Sequence, residues 1–193
     1  MDRFYQYWQK YCPDLPEEVR QFIDVHHEVA SYTKGQVIKL PDDSFPYFCV
    51  VLEGLVGGYQ QDRARDPTLR ELMLPPDFFT GTEHLFTTRG RHMEYCALEK
   101  TVVMRLSLAD AKAGQQRHAE IAELFHVLKQ KKIDLLRKLV AVYQETAYYD
   151  RYCVYIGLFK TWASLLPNKV QQQLLRMSET TYYRVKKQYL KGH

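Results

Sequence analysis

The sequence predicts an α+β chain in three parts: an N-terminal sandwich or small barrel of short strands, one long helix, and a C-terminal cluster of short helices. Three observations predict this. Between Ser31 and Leu106, apolar residues come in short period-two runs with a turn signal about every eight to twelve residues. From Gln115 to Thr146 there is no Pro or Gly, and the apolar residues step alternately by three and four. Beyond Asp150 the chain turns strongly basic.

The first thirty residues read as helix. Pro16 suits a first helical position, Glu17 and Glu18 favour the positive end of the helix dipole, and Val19, Phe22 and Ile23 form an apolar stripe. The strand segments then follow as Tyr32–Leu40 around a Lys34-Gly35 turn, Tyr47–Leu52 and Leu55–Tyr59 around Glu53-Gly54, and Leu69–Leu74 ended by Pro75-Pro76. His92–Leu98 and Val102–Leu106 flank Glu99-Lys100. Ser107-Leu-Ala-Asp110 is a capping-box pattern that opens a helix, which Gly114 interrupts. In the long helix, Ile121, Phe125, Leu128, Leu135, Leu139 and Val142 form a seam once Lys132 takes one slot, and a seam of that length predicts a partner helix from a second copy.

Tyr152–Ser164 predicts an apolar helix, Pro167-Asn168 opens another over Lys169–Leu175, and Ser178 caps a third over Glu179–Leu190. The last carries Tyr182, Val185 and Tyr189 inward and Arg184, Lys186, Lys187 and Lys191 outward. A short helix, a three-residue turn and a basic second helix make a helix-turn-helix. The predicted divisions are 1–113 for the barrel, 114–146 for the dimerisation helix and 147–193 for the helix-turn-helix.

Composition narrows the class. At 46% hydrophobic and 26% charged, the chain is ordinary for a folded domain, and no apolar run is long enough for a membrane span. The start, MDRFYQYWQK, does not read as a signal peptide. Cys12, Cys49, Cys96 and Cys153 show no CxxC or CxxH spacing, so reduced thiols and a cytoplasmic location are expected. Residues 1–110 hold 12 Lys or Arg against 17 Asp or Glu, whereas residues 111–193 hold 15 against 6. A basic tail on an acidic front predicts that the tail alone meets a polyanion.

Several motifs, in order, carry a family resemblance. Tyr32-Thr-Lys-Gly35-Gln-Val-Ile38 looks like an opening barrel strand, Cys49-Val-Val-Leu-Glu-Gly54-Leu-Val like a Leu-Glu-Gly hairpin, and Ala97-Leu98-Glu99-Lys-Thr like the strand after a phosphate cassette. Pro167 follows Arg151 by sixteen residues, as at the entry to the family's DNA-binding helices. The chain thus resembles the Crp/Fnr family of transcription regulators, most closely the short members found in Bacteroidetes. That resemblance implies a cyclic-nucleotide-binding-like double-stranded β-helix (jelly roll), a homodimer, and DNA as partner.

The resemblance also implies site residues. The cassette Phe79-Thr-Gly81-Thr82-Glu83-His84-Leu85-Phe86 keeps the family's Gly at Gly81 but has Thr82 where cyclic AMP binders carry the ribose-holding Glu. Glu83 comes one residue late and, on a strand, would face the other side. Arg91 stands near the phosphate-neutralising position, with Arg89 competing for it. The effector pocket implied is Gly81, Thr82, Glu83, Arg89 and Arg91, not responsive to cyclic AMP, with the effector unnamed and no cofactor expected. The reading head implied is Lys169, Ser178, Thr180, Thr181, Tyr183, Arg184 and Lys187. Arg184 supplies a guanine fork, and the hydroxyls and lysines supply phosphate contacts. Gln172 stands where a small residue is usual, Arg176 at a turn that favours Gly, Glu179 faces the groove, and no β-wing is expected after His193. An alternative therefore stays open: a ligand-sensing or protein-interaction module with a decayed helix-turn-helix. An enzyme is not expected. His26, His27, His84, His92, His118 and His126 lack HxH or HExxH spacing, and GxSxG, Walker and GxGxxG motifs are missing.

Overall fold

The computed structural model describes residues 1–62, 65–84 and 86–192, with backbone only at 62, 65 and 66, so Leu85 of the cassette and His193 lie outside the described residues. The chain divides into two compact units, Met1–Lys129 and Gln130–His193.

The first unit opens with α1 (Asp2–Gln9) and α2 (Glu17–His26). Pro16 is the N-cap of α2 rather than its first residue. The helical stretch ends at His26, earlier than its sequence suggests, because His27–Tyr32 forms strand β1. β1 is an edge strand that pairs only with β8, and it leaves Val29 half exposed, so no apolar alternation marks it. Then come β2 (Val37–Lys39), β3 (Tyr47–Glu53), β4 (Val56–Asp62), β5 (Arg65–Met73), β6 (Phe78–Thr80), β7 (Glu94–Ala97) and β8 (Thr101–Ser107). They form two antiparallel sheets, ordered β1-β8-β3-β6 and β2-β7-β4-β5, a jelly-roll arrangement. Gly35 and Gly54 turn at φ +82° and +84°; a side chain at Gly54 would run into the Lys100 carbonyl.

Alternation on β3 sorts the core into two layers. Cys49 and Val51 point into the sandwich with Ile38, Val56, Met73, Phe79, Met93, Tyr95 and Val103. Phe48, Val50 and Leu52 point the other way, onto Phe4, Trp8, Val19 and Ile23 from α1 and α2 and onto Ile121, Phe125 and Leu128.

Helix α3 (Leu108–Arg117) starts at Ser107, whose Oγ accepts the Asp110 amide at 3.0 Å. The Asp110 carboxylate does not return to the Ser107 N–H; it accepts from Ser107 Oγ and lies 3.0 Å from His26 Nδ1. Gly114 does not break the helix. A Cβ there would meet Phe22 Cε1 at 2.8 Å and Ile121 Cδ1 at 3.0 Å, so this glycine serves close packing. The break comes at His118, which is extended (φ −129°, ψ 114°). Helix α4 (Ala119–Gln144) follows, 26 residues or about 39 Å long.

The second unit contains the rest of α4, then α5 (Tyr148–Leu158), α6 (Lys160–Leu165), α7 (Asn168–Leu175) and α8 (Glu179–Lys191). Leu166, Val170, Leu174, Leu175, Met177, Tyr152, Tyr155, Tyr182 and Val185 are buried in it. Among the described residues, no helix is long and apolar enough to cross a membrane.

Candidate nucleic-acid interface and sensor pocket

The strand-β6 loop brings the expected pocket residues together along the backbone. The amide of Arg91 donates to the Gly81 carbonyl at 3.0 Å, and that of Glu83 to the Arg89 carbonyl at 3.1 Å. The side chains then diverge. Glu83 and Arg89 pair at 3.3 Å on the surface. Thr82 is buried, and its hydroxyl donates to the His84 carbonyl at 2.9 Å. Gly81 has no room for a side chain, because a Cβ would fall 2.0 Å from the Phe45 carbonyl oxygen.

Arg91 is not a free surface arginine. Its Nη2 lies 2.8 Å from Glu71 Oε1, and its Nη1 donates to Tyr95 Oη at 2.8 Å. Burial, then the charge of Glu71, pushes the Tyr95 phenol above its ordinary pKa. Beneath this group Lys39 is buried, its ammonium donating to the carbonyls of Leu40, Arg91 and Met93 at 2.7, 2.7 and 3.2 Å. Desolvation lowers the Lys39 pKa, with Asp43 and Asp42 opposing. Arg91 and Lys39 are therefore both already satisfied. Sequence reasoning missed Glu71, Tyr95 and Lys39. One signal was present: Glu71 shares strand parity with inward Met73, and a carboxylate there needs a cation.

In the helical unit the turn is as expected. Arg176 adopts a left-handed conformation (φ 55°, ψ 47°), and its guanidinium covers the Tyr143 ring at 4.5 Å. Tyr143 Oη donates to the Leu174 carbonyl at 2.9 Å. Arg151 donates to the Glu145 carbonyl at 2.8 and 3.0 Å and to that of Leu175 at 3.3 Å, which fastens the end of α7 to the end of α4. Gln172, half-buried, does not force α7 and α8 apart; the buried glutamine is its neighbour. Gln171 Nε2 donates to the carbonyls of Leu166 and Ala163 at 2.8 and 3.1 Å, and its Oε1 accepts from Tyr182 Oη at 3.0 Å.

Thr180, Tyr183, Arg184 and Lys187 are exposed at helical spacing on one face of α8, and Lys169 is exposed at the start of α7. Ser178 and Thr181 serve the helix instead. Ser178 Oγ accepts the Thr181 amide at 3.2 Å and donates to Thr181 Oγ1 at 2.9 Å. Lys186 does not point outward; it donates to Asn168 Oδ1 at 3.0 Å. The open face thus carries two cations, a phenol and a hydroxyl, with exposed Glu179 at its N-terminal edge. This set can meet phosphates and base edges.

The long helix differs from its expected use. Ile121, Phe125 and Leu128 are consumed by the first unit's core, and Leu139 and Val142 are also buried within the chain. A second stripe remains: Ile133, Leu136 and Val140 are 40%, 45% and 53% exposed, at steps of three and four.

No family model matches the sequence, and no curated protein does. Among solved structures, the chain is similar to FixK2 from Bradyrhizobium japonicum, at 15% identity over 86% of each chain and a TM-score of 0.70. It is similar to CLP of Xanthomonas campestris, described as a c-di-GMP responsive global regulator, at 14% identity, 92% of this chain, 93% of that one and 0.66. It is also similar to a CooA variant from Carboxydothermus hydrogenoformans, at 11% identity, 92% of this chain, 80% of that one and 0.69.

Proposed function

We propose that this chain, which has the fold of the Crp/Fnr-type transcription regulators, is a sequence-specific DNA-binding regulator that works as a cytoplasmic homodimer, not an enzyme. In this reading residues 1–113 sense, 114–146 dimerise and 147–193 bind DNA. The observation that carries it is the exposed row of Thr180, Tyr183, Arg184 and Lys187 on a capped helix whose partner helix is fastened to α4. Pairing along Ile133, Leu136 and Val140 would offer two such helices to successive major grooves, about 34 Å apart. Cyclic AMP is not its effector: Arg91 is engaged by Glu71, and Thr82 is buried and offers no carboxylate.

The test is selection from a randomised DNA pool, followed by anisotropy binding across a salt series. A palindromic site bound tightly at physiological salt, and weakened by Arg184→Ala by about 1–3 kcal/mol, supports the proposal. A steep salt slope with no enriched site favours the second reading, an interaction module with a decayed helix-turn-helix, which Glu179 and the internally bonded Ser178 and Thr181 hydroxyls motivate.

A further inference from the structure

The two faces of β6 lead to different places. Phe79 points into the sandwich, where Tyr95 lies 4.7 Å away and the interior is filled. Phe78 and Thr80 point to the opposite side, into an open cleft of about 240 Å³ beneath α4. Its walls are the rings of Phe48, Phe78, Phe86 and Phe125; Phe48 stacks on Phe78 at 5.2 Å and meets Phe125 edge-on at 4.4 Å. Phe86 is 69% exposed, an unusual placement for a phenylalanine on a loop.

The rim of the cleft favours an anion. Lys129 lines it, and among the ion pairs of the described residues none involves that ammonium. His84 also lines it; its Nδ1 accepts the Phe86 amide at 3.1 Å, so the neutral ring carries its proton on Nε2, a donor. Thr80 spends its hydroxyl proton on the Thr82 carbonyl. Glu83 is the one acid of the lining, and Arg89 pairs with it at 3.3 Å. Lys112 sits 5.4 Å from the Phe86 ring centre and adds positive charge.

We propose that this cleft, on the opposite side of β6 from the expected pocket, binds a small aromatic molecule bearing one carboxylate-like head. The rings enclose the apolar body, and Lys129 with His84 holds the head. The volume lies below the range of drug-sized pockets, about 300–1,000 Å³, so the occupant has on the order of ten non-hydrogen atoms. Because Phe125 and Lys129 belong to α4, occupancy would bear on the helix that also carries the exposed stripe; this regulatory consequence rests on the function proposed above, whereas binding itself does not.

The test is calorimetric titration of the full chain, without DNA, using 3-phenylpropionate and its neutral amide as probes. The expected result is saturable one-to-one binding of the carboxylate, weakened about tenfold by Lys129→Gln, a change of about 1.4 kcal/mol. Phe86→Ala should weaken it about fivefold. Both positions are exposed, and circular dichroism verifies that each variant is folded. The proposal is overturned if the folded chain binds neither probe, if the amide binds as tightly as the carboxylate, or if both variants retain full affinity. DNA affinity is measured separately, so loss of the regulator reading leaves the binding result standing.

Discussion

Arg91 Nη2 lies 2.8 Å from Glu71 Oε1, and this contact joins the loop after β6 to β5 in the facing sheet. The Arg91 side chain is 31% exposed and that of Glu71 16%, so neither charge has full access to water. An incoming phosphate would have to compete with a carboxylate already in place.

Arg91→Leu should therefore strand the Glu71 carboxylate and destabilise the barrel by about 1–3 kcal/mol, less than for a fully buried pair. The double variant Glu71→Gln with Arg91→Leu should recover part of the loss. Guanidinium unfolding followed through the emission of buried Trp8 checks both. Equal stability of the single variant and the native chain would mean the pair is idle.

Gly114→Ala should destabilise the chain. In an exposed helix the change would add about 1 kcal/mol of stability. Here the new methyl would sit 2.8 Å from Phe22 Cε1, and overpacking should cost about 1–3 kcal/mol. A higher melting temperature would show that Phe22 swings aside freely.

Tyr182→Phe should leave Gln171 Oε1 buried without its donor and cost about 1–3 kcal/mol. Amide hydrogen exchange in α7 and α8 provides the measurement, with faster exchange in both helices expected.

The buried phenols predict an alkaline limit. Burial first, then Cys96 and Glu94, raises Tyr59 from 10.0 to about 12. The folded state thus holds its proton more tightly than the unfolded chain, so this stability is complete below the unfolded value and is lost as pH climbs from 10.0 towards about 12. Tyr95, Tyr155 and Tyr182 are shifted the same way, chiefly by burial. The thiols of Cys49 and Cys96 are raised from 9.0 by burial as well, so unfolding free energy should begin to fall near pH 9 and drop more steeply above about 10, there in step with tyrosinate absorbance. A stability still level at pH 11 would contradict it.

Leu136→Glu should keep the chain monomeric if the proposed homodimer pairs along this stripe, and should leave it folded, because Leu136 is 45% exposed in a single copy. Sedimentation velocity and melting together test this. An unchanged sedimentation coefficient would remove the stripe from the proposed interface.

Much of the fold is legible in sequence because its punctuation is local. Gly35, Gly54, Pro16 and Ser178 mark turns and helix starts through backbone geometry, and Arg176 lies at the corner where a left-handed residue is needed. What is illegible depends on partners distant in sequence. β1 is a strand only because β8 lies beside it, and the glycine at 114 reads as a stop until Phe22 is placed against it. Arg91 looks available until Glu71 is seen opposite. The helical seam failed for a related reason: periodicity locates an apolar stripe but does not name what covers it, and the chain itself covers Ile121, Phe125 and Leu128.

The bonds from Tyr143 and Arg151 to the last carbonyls of α7 key the end of α4, with its exposed stripe, to the short helices of the second unit. Across such a joint, angular phase matters more than length. One residue inserted between Val140 and Tyr143 would turn those helices relative to the stripe by about 100° while adding only about 1.5 Å. Seven inserted residues would nearly restore the heading while adding about 10 Å. Variation in this segment should therefore keep to whole heptads, and under the proposed function a single-residue insertion should abolish DNA binding without unfolding the chain.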